Sequence, residues 1–364
     1  MSTVNQRLRD EALAHSLFQS RYAHGVAKEK VARLNQYDAE LTARLFGKLE
    51  KVNPQHIEVK QLARLLASVQ AVNQQAMSTL YLSLSEELRT FAEHEAGYHC
   101  RLFDTLLPDG VLHRYPLALI TAEQVYAAAM AQPFQGRLLR DWVSHLETDR
   151  FQRINNAVKN GFLLGDTVEH ITRKVRGSRA KQYQDGVLDI SRKNLTSVVK
   201  TAVNHVAAVA RDQFAENNAA MIDRKQWLST LDNKTSSPCV IRDRLCYTLA
   251  GQPLGHHIPY LPGPGRLHFC CRSTETLVIK SWRALGIDLD ELDPGTRASL
   301  DGQVPADTTY SDWLQQQPYA RQVQVLGKTR AKMLREEGRR PDDFFSDKGE
   351  WLTLEQLRKI TQTE

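Results

Sequence analysis

Residues 1 to 230 contain 9 Gly and 4 Pro, whereas the shorter span from 231 to 364 contains 10 Gly and 9 Pro. This asymmetry constrains the fold more than any other feature of the chain. Gly weakens a helix interior through backbone entropy and Pro removes a donor, so long helices suit the first span and turn-rich structure suits the second. Within the first span, Leu62, Leu65, Leu66, Val69, Val72, Ala76, Met77, Leu80 and Leu84 recur at helical spacing. A second stripe, Leu195, Val198, Val199, Ala202, Val203, Val206, Val209, Ala210 and Phe214, covers one face of a helix of about six turns. Both stripes predict core faces of a helical bundle.

Beyond residue 245 the pattern changes to loops and short strands such as Thr276 to Lys280, then returns to short helices. These helices are expected from Tyr310 to Gln317, from Tyr319 to Glu337 with a break near Gly327, and after Thr353, which has Gln356 in capping-box spacing. The predicted fold is mainly α with a small α+β module: a helical domain over 1–165, a core with a loop-rich Cys/His module over 166–304, and a helical tail over 305–364. At 364 residues, with 41% hydrophobic and 25% charged residues, the chain is globular rather than disordered. The polar N-terminus lacks the apolar stretch of a secretory signal, and no apolar run reaches the length of a membrane span; both predict a soluble protein made in the cytosol, without a membrane anchor.

Four of the five cysteines, Cys239, Cys246, Cys270 and Cys271, crowd into the module, and Cys100 lies far from them. Such clustering in a reducing compartment favours a metal site over a disulfide framework. Cys239, Cys246, His268 and Cys271 supply enough soft ligands for tetrahedral zinc, whereas adjacent Cys270 and Cys271 project differently and do not both suit one ion. The alternative is a set of buried thiols with His268 satisfied by backbone hydrogen bonds, and the residues alone leave both readings open. His256 and His257 are spare ligands in the intervening loop.

Two motifs fail on spacing. His94-Glu95-Ala-Gly-Tyr-His99 places its histidines five apart, so they diverge on a helix and cannot form a zinc-protease site. Leu326-Gly327-Lys328-Thr329 lacks the glycine five positions before Gly327, where Gln322 stands, so it cannot cradle phosphate. No nucleophile elbow or dinucleotide glycine pattern is present. Net charge is +6, and Arg173, Lys174, Arg176, Arg179, Lys181, Arg192 and Lys193 crowd a glycine-punctuated stretch. That stretch reads either as a solvated face, set against Asp166, Glu169, Asp185 and Asp189, or as a surface for DNA phosphates.

Taken in order, Trp227-Leu-Ser-Thr-Leu-Asp232-Asn-Lys-Thr235-Ser236-Ser-Pro-Cys239-Val-Ile-Arg-Asp243, a Pro/Gly loop, and His268-Phe-Cys-Cys271-Arg272-Ser resemble the signature of the phage minor head proteins. This is the head-morphogenesis family typified by the minor capsid proteins of phages Mu and SPP1. Asp232, Thr235, Cys239, Asp243, His268, Cys271 and Arg272 fall on its motif positions, while Arg244 replaces the usual turn glycine. The helix from Leu195 to Asn217, after a basic Gly-containing segment, fits the layout of the family, and segments of the tail, Tyr310 to Pro318, Val325 to Leu334 and Asp342 to Leu354, are also similar to members, so the resemblance runs from about residue 165 to the end.

The resemblance implies a virion component inside the capsid near the portal vertex, acting in head assembly, genome packaging or DNA ejection. Its partners would be the portal protein, the major capsid protein and packaged DNA, bound without sequence preference. No enzymatic activity is implied, in keeping with the lack of a catalytic set. A zinc-dependent nucleic-acid binder is the alternative from another class, with a toxin-type enzyme sharing the module behind it. Trp313, Phe344, Phe345 and Trp351 in the tail are either partner contacts or its own core.

Overall fold

The computed structural model describes residues 3–51, 59–287, 296–299, 302–305, 308–346 and 351–361. The chain is mainly helical with a small antiparallel sheet. In chain order the helices are α1 (Val4–Leu49), α2 (Val59–Leu106), α3 (Asp109–Arg114), α4 (Ala122–Ala131), α5 (Leu139–Leu163), α6 (Val168–Arg176) and α7 (Val187–Asn217). Then come β1 (Ile222–Leu228), α8 (Ser237–Val240), β2 (Cys246–Tyr247), β3 (Pro253–Leu254), β4 (Thr274–Ile279), β5 (Thr296–Ser299) and β6 (Gly302–Pro305). The tail holds α9 (Tyr310–Gln315), α10 (Tyr319–Glu336) and α11 (Leu354–Thr361).

Compact units do not follow the sequential partition at 165 and 304. One unit comprises Met1–Ser20, Glu93–Val125 and Ala207–Glu364, and the other Arg21–Ala92 and Tyr126–Val206. The reason is length: α1, α2 and α7 each run from one unit into the other, so a cut along the sequence cannot separate them.

In the unit formed by 21–92 and 126–206, Leu41, Leu45 and Leu49 of α1 pack with Leu65, Leu66, Val69 and Val72 of α2, Ile154 and Val158 of α5, Ile171 and Val175 of α6 and Leu188 of α7. The α5–α6 approach requires Gly161, where a Cβ would lie 2.4 Å from Ile171 Cγ1. Thr167 caps α6 by accepting the His170 amide at 3.2 Å. In the part of α7 belonging to this unit, Val198, Val199, Val203 and Val206 are all buried. Burying each contributes roughly 1.5–3 kcal/mol, which outweighs the few tenths that a β-branched residue costs in helix propensity; packing therefore holds the helix.

Within the same core, Asp38 accepts from Arg150 Nη2 at 2.5 Å and from Arg192 Nη2 at 2.8 Å. Two guanidinium groups thus share one carboxylate. Arg150 is 1% exposed, and its Nε and Nη1 have no partner among the described residues.

The other unit carries the sheet, in order β3-β2-β1-β4 with every pair antiparallel. Arg211, near the end of α7, donates to Glu275 on β4 at 3.1 Å, and Asp212 accepts from Lys225 on β1 at 2.8 Å and from Arg266 at 2.7 Å. The charges on this helix are therefore answered from the sheet and its loop. The tail shares a core with the module: Leu231 and Val240 pack with Tyr310, Trp313, Leu314, Leu326, Leu334, Phe344 and Leu357.

The tail helices fall close to where the sequence placed them, and α9 has a cap that the sequence reading did not name. Thr309 forms a capping box with Asp312 at α9, α10 breaks at Gly327 with φ 77°, and the Thr353 hydroxyl accepts the Gln356 amide at 3.2 Å before α11. Among the described residues, no helix is long and apolar enough to cross a membrane.

Candidate functional site

Topology brings the two ligand groups together. β1 and β4 pair antiparallel with Leu228 opposite Thr274, so the chain leaving β1 and the chain entering β4 lie side by side. Residues 229–243 extend from the first point and residues 268–273 lead into the second. Of the four proposed metal ligands, the structure brings together Cys239, His268 and Cys271, whose ligand atoms lie within 4.8 Å of one another and could hold a metal ion.

Cys239 sits on the one-turn helix α8, where Pro238 supports the start and the Cys239 amide bonds the Ser236 carbonyl at 2.9 Å. Its Sγ lies 3.5 Å from His268 Nε2 and 3.7 Å from Cys271 Sγ. His268 Nδ1 meets the Phe269 carbonyl at 2.9 Å; since a carbonyl only accepts, Nδ1 carries the hydrogen and Nε2 faces the sulfurs. Ser236 Oγ stands 2.7 Å from the same Nε2. Both sulfurs are buried, against an aromatic wall of Trp227, Tyr247 and Tyr260, while His268 keeps a half-exposed side.

These contacts split the two thiols. Hydrogen bonding to Cys239 pulls the Cys271 thiol well below the ordinary cysteine value against the opposing effect of burial, and His268 adds to the pull. The same hydrogen bond, with burial, pushes Cys239 well up, so the pair shares one thiolate. His268 is raised by its contact with Cys271. A shared thiolate facing an imidazole suits a cation that replaces the remaining protons.

Cys246 does not join them. It lies on β2 opposite Gln226, with its sulfur 3.8 Å from the Gln226 amide nitrogen and 3.8 Å from the Arg244 carbonyl. β2 pairs with β1 on the side opposite β4, so Cys246 is set off from the β1–β4 end where the ligand group lies. Cys270 adopts φ 57° and is half-buried, whereas its neighbour Cys271 is buried. His256 Nε2 is taken up by the Cys246 carbonyl at 2.9 Å.

The remaining motif residues build the frame. Asp232 accepts the Lys234 amide at 2.9 Å and the Thr235 hydroxyl at 3.2 Å, and the Thr235 hydroxyl also donates to the Thr230 carbonyl. Asp243 accepts the Ser229 amide at 2.7 Å and the Tyr310 amide at 2.8 Å, joining the end of β1 to the start of α9. Arg244 takes φ 68°, the left-handed conformation that favours the glycine expected there. Missing from the sequence reading were Ser236, whose only signal was a hydroxyl three positions before Cys239, and Arg242, which donates to the Pro238 and Pro259 carbonyls at 2.6 and 2.9 Å and so anchors the Pro/Gly loop.

The seven basic residues fall into two groups. Arg192 is committed to Asp38, Lys174 to Asp166 at 2.5 Å and Lys193 to Asp189 at 2.7 Å. Arg173, Arg179 and Lys181 are exposed, and Arg176 lies over the Tyr183 ring at 4.6 Å. Their loop is held by the Ser178 amide and hydroxyl, which donate to Asp185 at 2.7 and 2.8 Å. Gly186 packs so closely that a Cβ there would lie 2.3 Å from the Arg176 carbonyl carbon. Comparison of the chain with protein-family models, with curated proteins and with solved structures finds no match.

Proposed function

We propose that this protein is a phage minor head protein, acting in head assembly, genome packaging or DNA ejection close to the portal, and that its module holds zinc. The observation that carries the reading is that Asp232, Thr235, Cys239, Asp243, His268, Cys271 and Arg272, the residues on which the resemblance rests, all serve one small structure. Three form the ligand group, and the other four fix the turns and ties around it. A motif matched by chance would not need its members to meet in space.

Zinc is favoured by distance as well as by donor type. Tetrahedral zinc with bonds of about 2.3 Å to sulfur and about 2.0 Å to nitrogen separates two sulfurs by about 3.8 Å and sulfur from nitrogen by about 3.5 Å. From Cys239 Sγ the observed separations are 3.7 Å to Cys271 Sγ and 3.5 Å to His268 Nε2, and all three ligand atoms lie within 4.8 Å of one another. The fourth position falls to water, since Ser236 Oγ, 2.7 Å from His268 Nε2, is closer than the about 3.3 Å that two ligands at about 2.0 Å keep on one tetrahedral ion. Portal protein, major capsid protein and non-specifically bound DNA are the partners in this reading, which assigns no catalytic role to the centre.

Co-expression with phage portal and major capsid proteins tests the assignment. The protein should sediment with assembled heads and co-purify with portal, and its absence from heads, with the protein folded and soluble, would overturn the reading. Elemental analysis tests the metal separately: one zinc per chain is expected, lost in Cys239→Ser. The exposed cations of the basic loop also favour a second reading, a zinc protein that binds nucleic acid on its own. That protein would bind DNA as well without heads and would not enter them.

A further inference from the structure

We infer that Cys239 and Cys271 form an oxidation site, closing into a disulfide whose formation expels the metal. The disulfide needs only the thiol pair, whereas the expulsion rests on the metal reading above. The two sulfurs face each other at 3.7 Å, and each belongs to the group that could hold a metal ion. Their backbones lie on different segments, Cys239 on α8 and Cys271 just before β4, with each amide fixed in a turn by the carbonyl three residues earlier. Neither segment has to cross another element for the sulfurs to meet.

The chemistry is self-contained once a peroxide is supplied. One sulfur attacks the peroxide, breaking its O–O bond, to give a sulfenic acid and one water. The second thiol then displaces the sulfenic hydroxyl as a second water, forming the S–S bond. The two thiols together lose two electrons and two protons, and the peroxide is reduced. Small oxidants can approach from the half-exposed His268 side, since the aromatic wall closes the other. Cysteine binds zinc as its thiolate, so a disulfide removes two of the three protein ligands at once, and His268 cannot retain the ion alone. Occupancy works the other way: a bound ion ties up both sulfur lone pairs and shields the pair. On the reading above, the centre would be metal-bound in the reducing host cytoplasm and open to oxidation once particles are released.

The test uses full-length protein in which Cys100→Ser, Cys246→Ser and Cys270→Ser leave only the pair, with the unaltered protein alongside. Metal-free and zinc-loaded samples are treated with hydrogen peroxide and followed by intact mass, peptide mapping and a colorimetric zinc chelator. Metal-free protein should lose the mass of two hydrogen atoms and yield a peptide joining Cys239 to Cys271, reversed by dithiothreitol. Zinc-loaded protein should react more slowly and release its zinc in step with that mass loss. Folded metal-free protein that stays reduced or stops at sulfinic acid, or unaltered protein that links Cys271 to Cys270 instead, would overturn the proposal. Zinc that stays bound after the disulfide has formed would also overturn it. A disulfide in a protein that never takes up zinc would support the oxidation site and reject the metal reading, so the two failures are told apart.

Discussion

Arg272 grips Asp232 with two parallel hydrogen bonds, Nη1 to Oδ2 at 2.6 Å and Nη2 to Oδ1 at 2.9 Å, across 40 residues of chain. The pair ties the turn that precedes α8 to the residue following Cys271, so it closes the frame around the ligand group. Burial alone would raise the Asp232 carboxyl, but hydrogen bonds from Arg272, the Lys234 amide and Thr235 outweigh it and hold the carboxyl below its usual value.

Because the folded carboxyl is depressed, its contribution to stability is fully present above the ordinary value of 3.8 and is lost as pH falls through the lower folded value. Arg272→Lys keeps the charge but loses the fork, and should cost about 1 kcal/mol in urea unfolding at pH 7. The Asp232→Asn, Arg272→Lys double variant should cost less than the sum of the singles. Additive losses would mean that the pair does not act as a unit.

Arg244 offers a stabilising change. A non-glycine residue at φ 68° costs roughly 1 kcal/mol relative to glycine, and the Arg244 backbone is fixed there by its amide bonding the Trp227 carbonyl at 2.9 Å. Arg244→Gly should therefore raise the urea midpoint without changing the slope. A lower midpoint would show that contacts of the Arg244 side chain outweigh the strain.

The fold was readable wherever one segment decides its own structure. Helical stripes, the helix starts at Tyr310 and after Thr353 and the break at Gly327 depend on neighbours within a turn or two, and each is found in place. What could not be read is what depends on distant pairing. Cys246 looked equivalent to Cys239 by composition, and only the register Gln226↔Cys246 removes it from the ligand group. Arg192 looked like one more basic surface residue, yet its partner Asp38 lies 154 residues away. Compact units could not be placed either, because α1, α2 and α7 pass through both.

Tail aromatics illustrate the same limit. Trp313 and Phe344 are buried in a core that also contains Val240, the residue after Cys239, while Phe345 and Trp351 stack on each other at 4.3 Å. Truncation after Val304 should consequently unfold the module rather than trim a docking arm, since it uncovers Leu231 and Val240 and removes the Tyr310 amide from Asp243. Near-UV circular dichroism should collapse in the truncated protein. A native spectrum with unaltered metal content would contradict the shared core.

Acid should destabilise the unit containing His99 and Glu95 in two overlapping steps. Burial, aided by the nearby Arg211 charge and only partly offset by Glu95, drives His99 down from 6.5 to about 3. Burial would raise Glu95, yet hydrogen bonds from His15, at 2.9 Å, and His94 lower it from 4.5 to about 2. Both folded values are depressed, so the unfolded chain binds more protons between each pair of values and stability falls as pH falls: from 6.5 to about 3 for His99, and from 4.5 to about 2 for Glu95. Each group contributes about 1.4 kcal/mol per pH unit within its window. His99→Phe should flatten unfolding free energy between pH 6 and 5, and an unchanged slope would show that His99 is not held neutral.

Salt dependence decides the role of the basic loop. Arg192 is held inside by Asp38, and Lys174 and Lys193 face Asp166 and Asp189, so Arg173, Arg176, Arg179 and Lys181 are the cations of the loop without a carboxylate contact among the described ion pairs. Each phosphate neutralised on duplex DNA contributes about 0.9 to the slope of log affinity against log salt. Replacing all four with Ser should lower that slope by about 3 to 4 and weaken binding equally across unrelated sequences. Arg192→Met serves as the contrast: it leaves Asp38 with one partner and should lower stability while leaving the salt slope unchanged, because its charge is spent inside the protein. Binding by the fourfold variant that matches the parent at every salt concentration would return the loop to a solvated face.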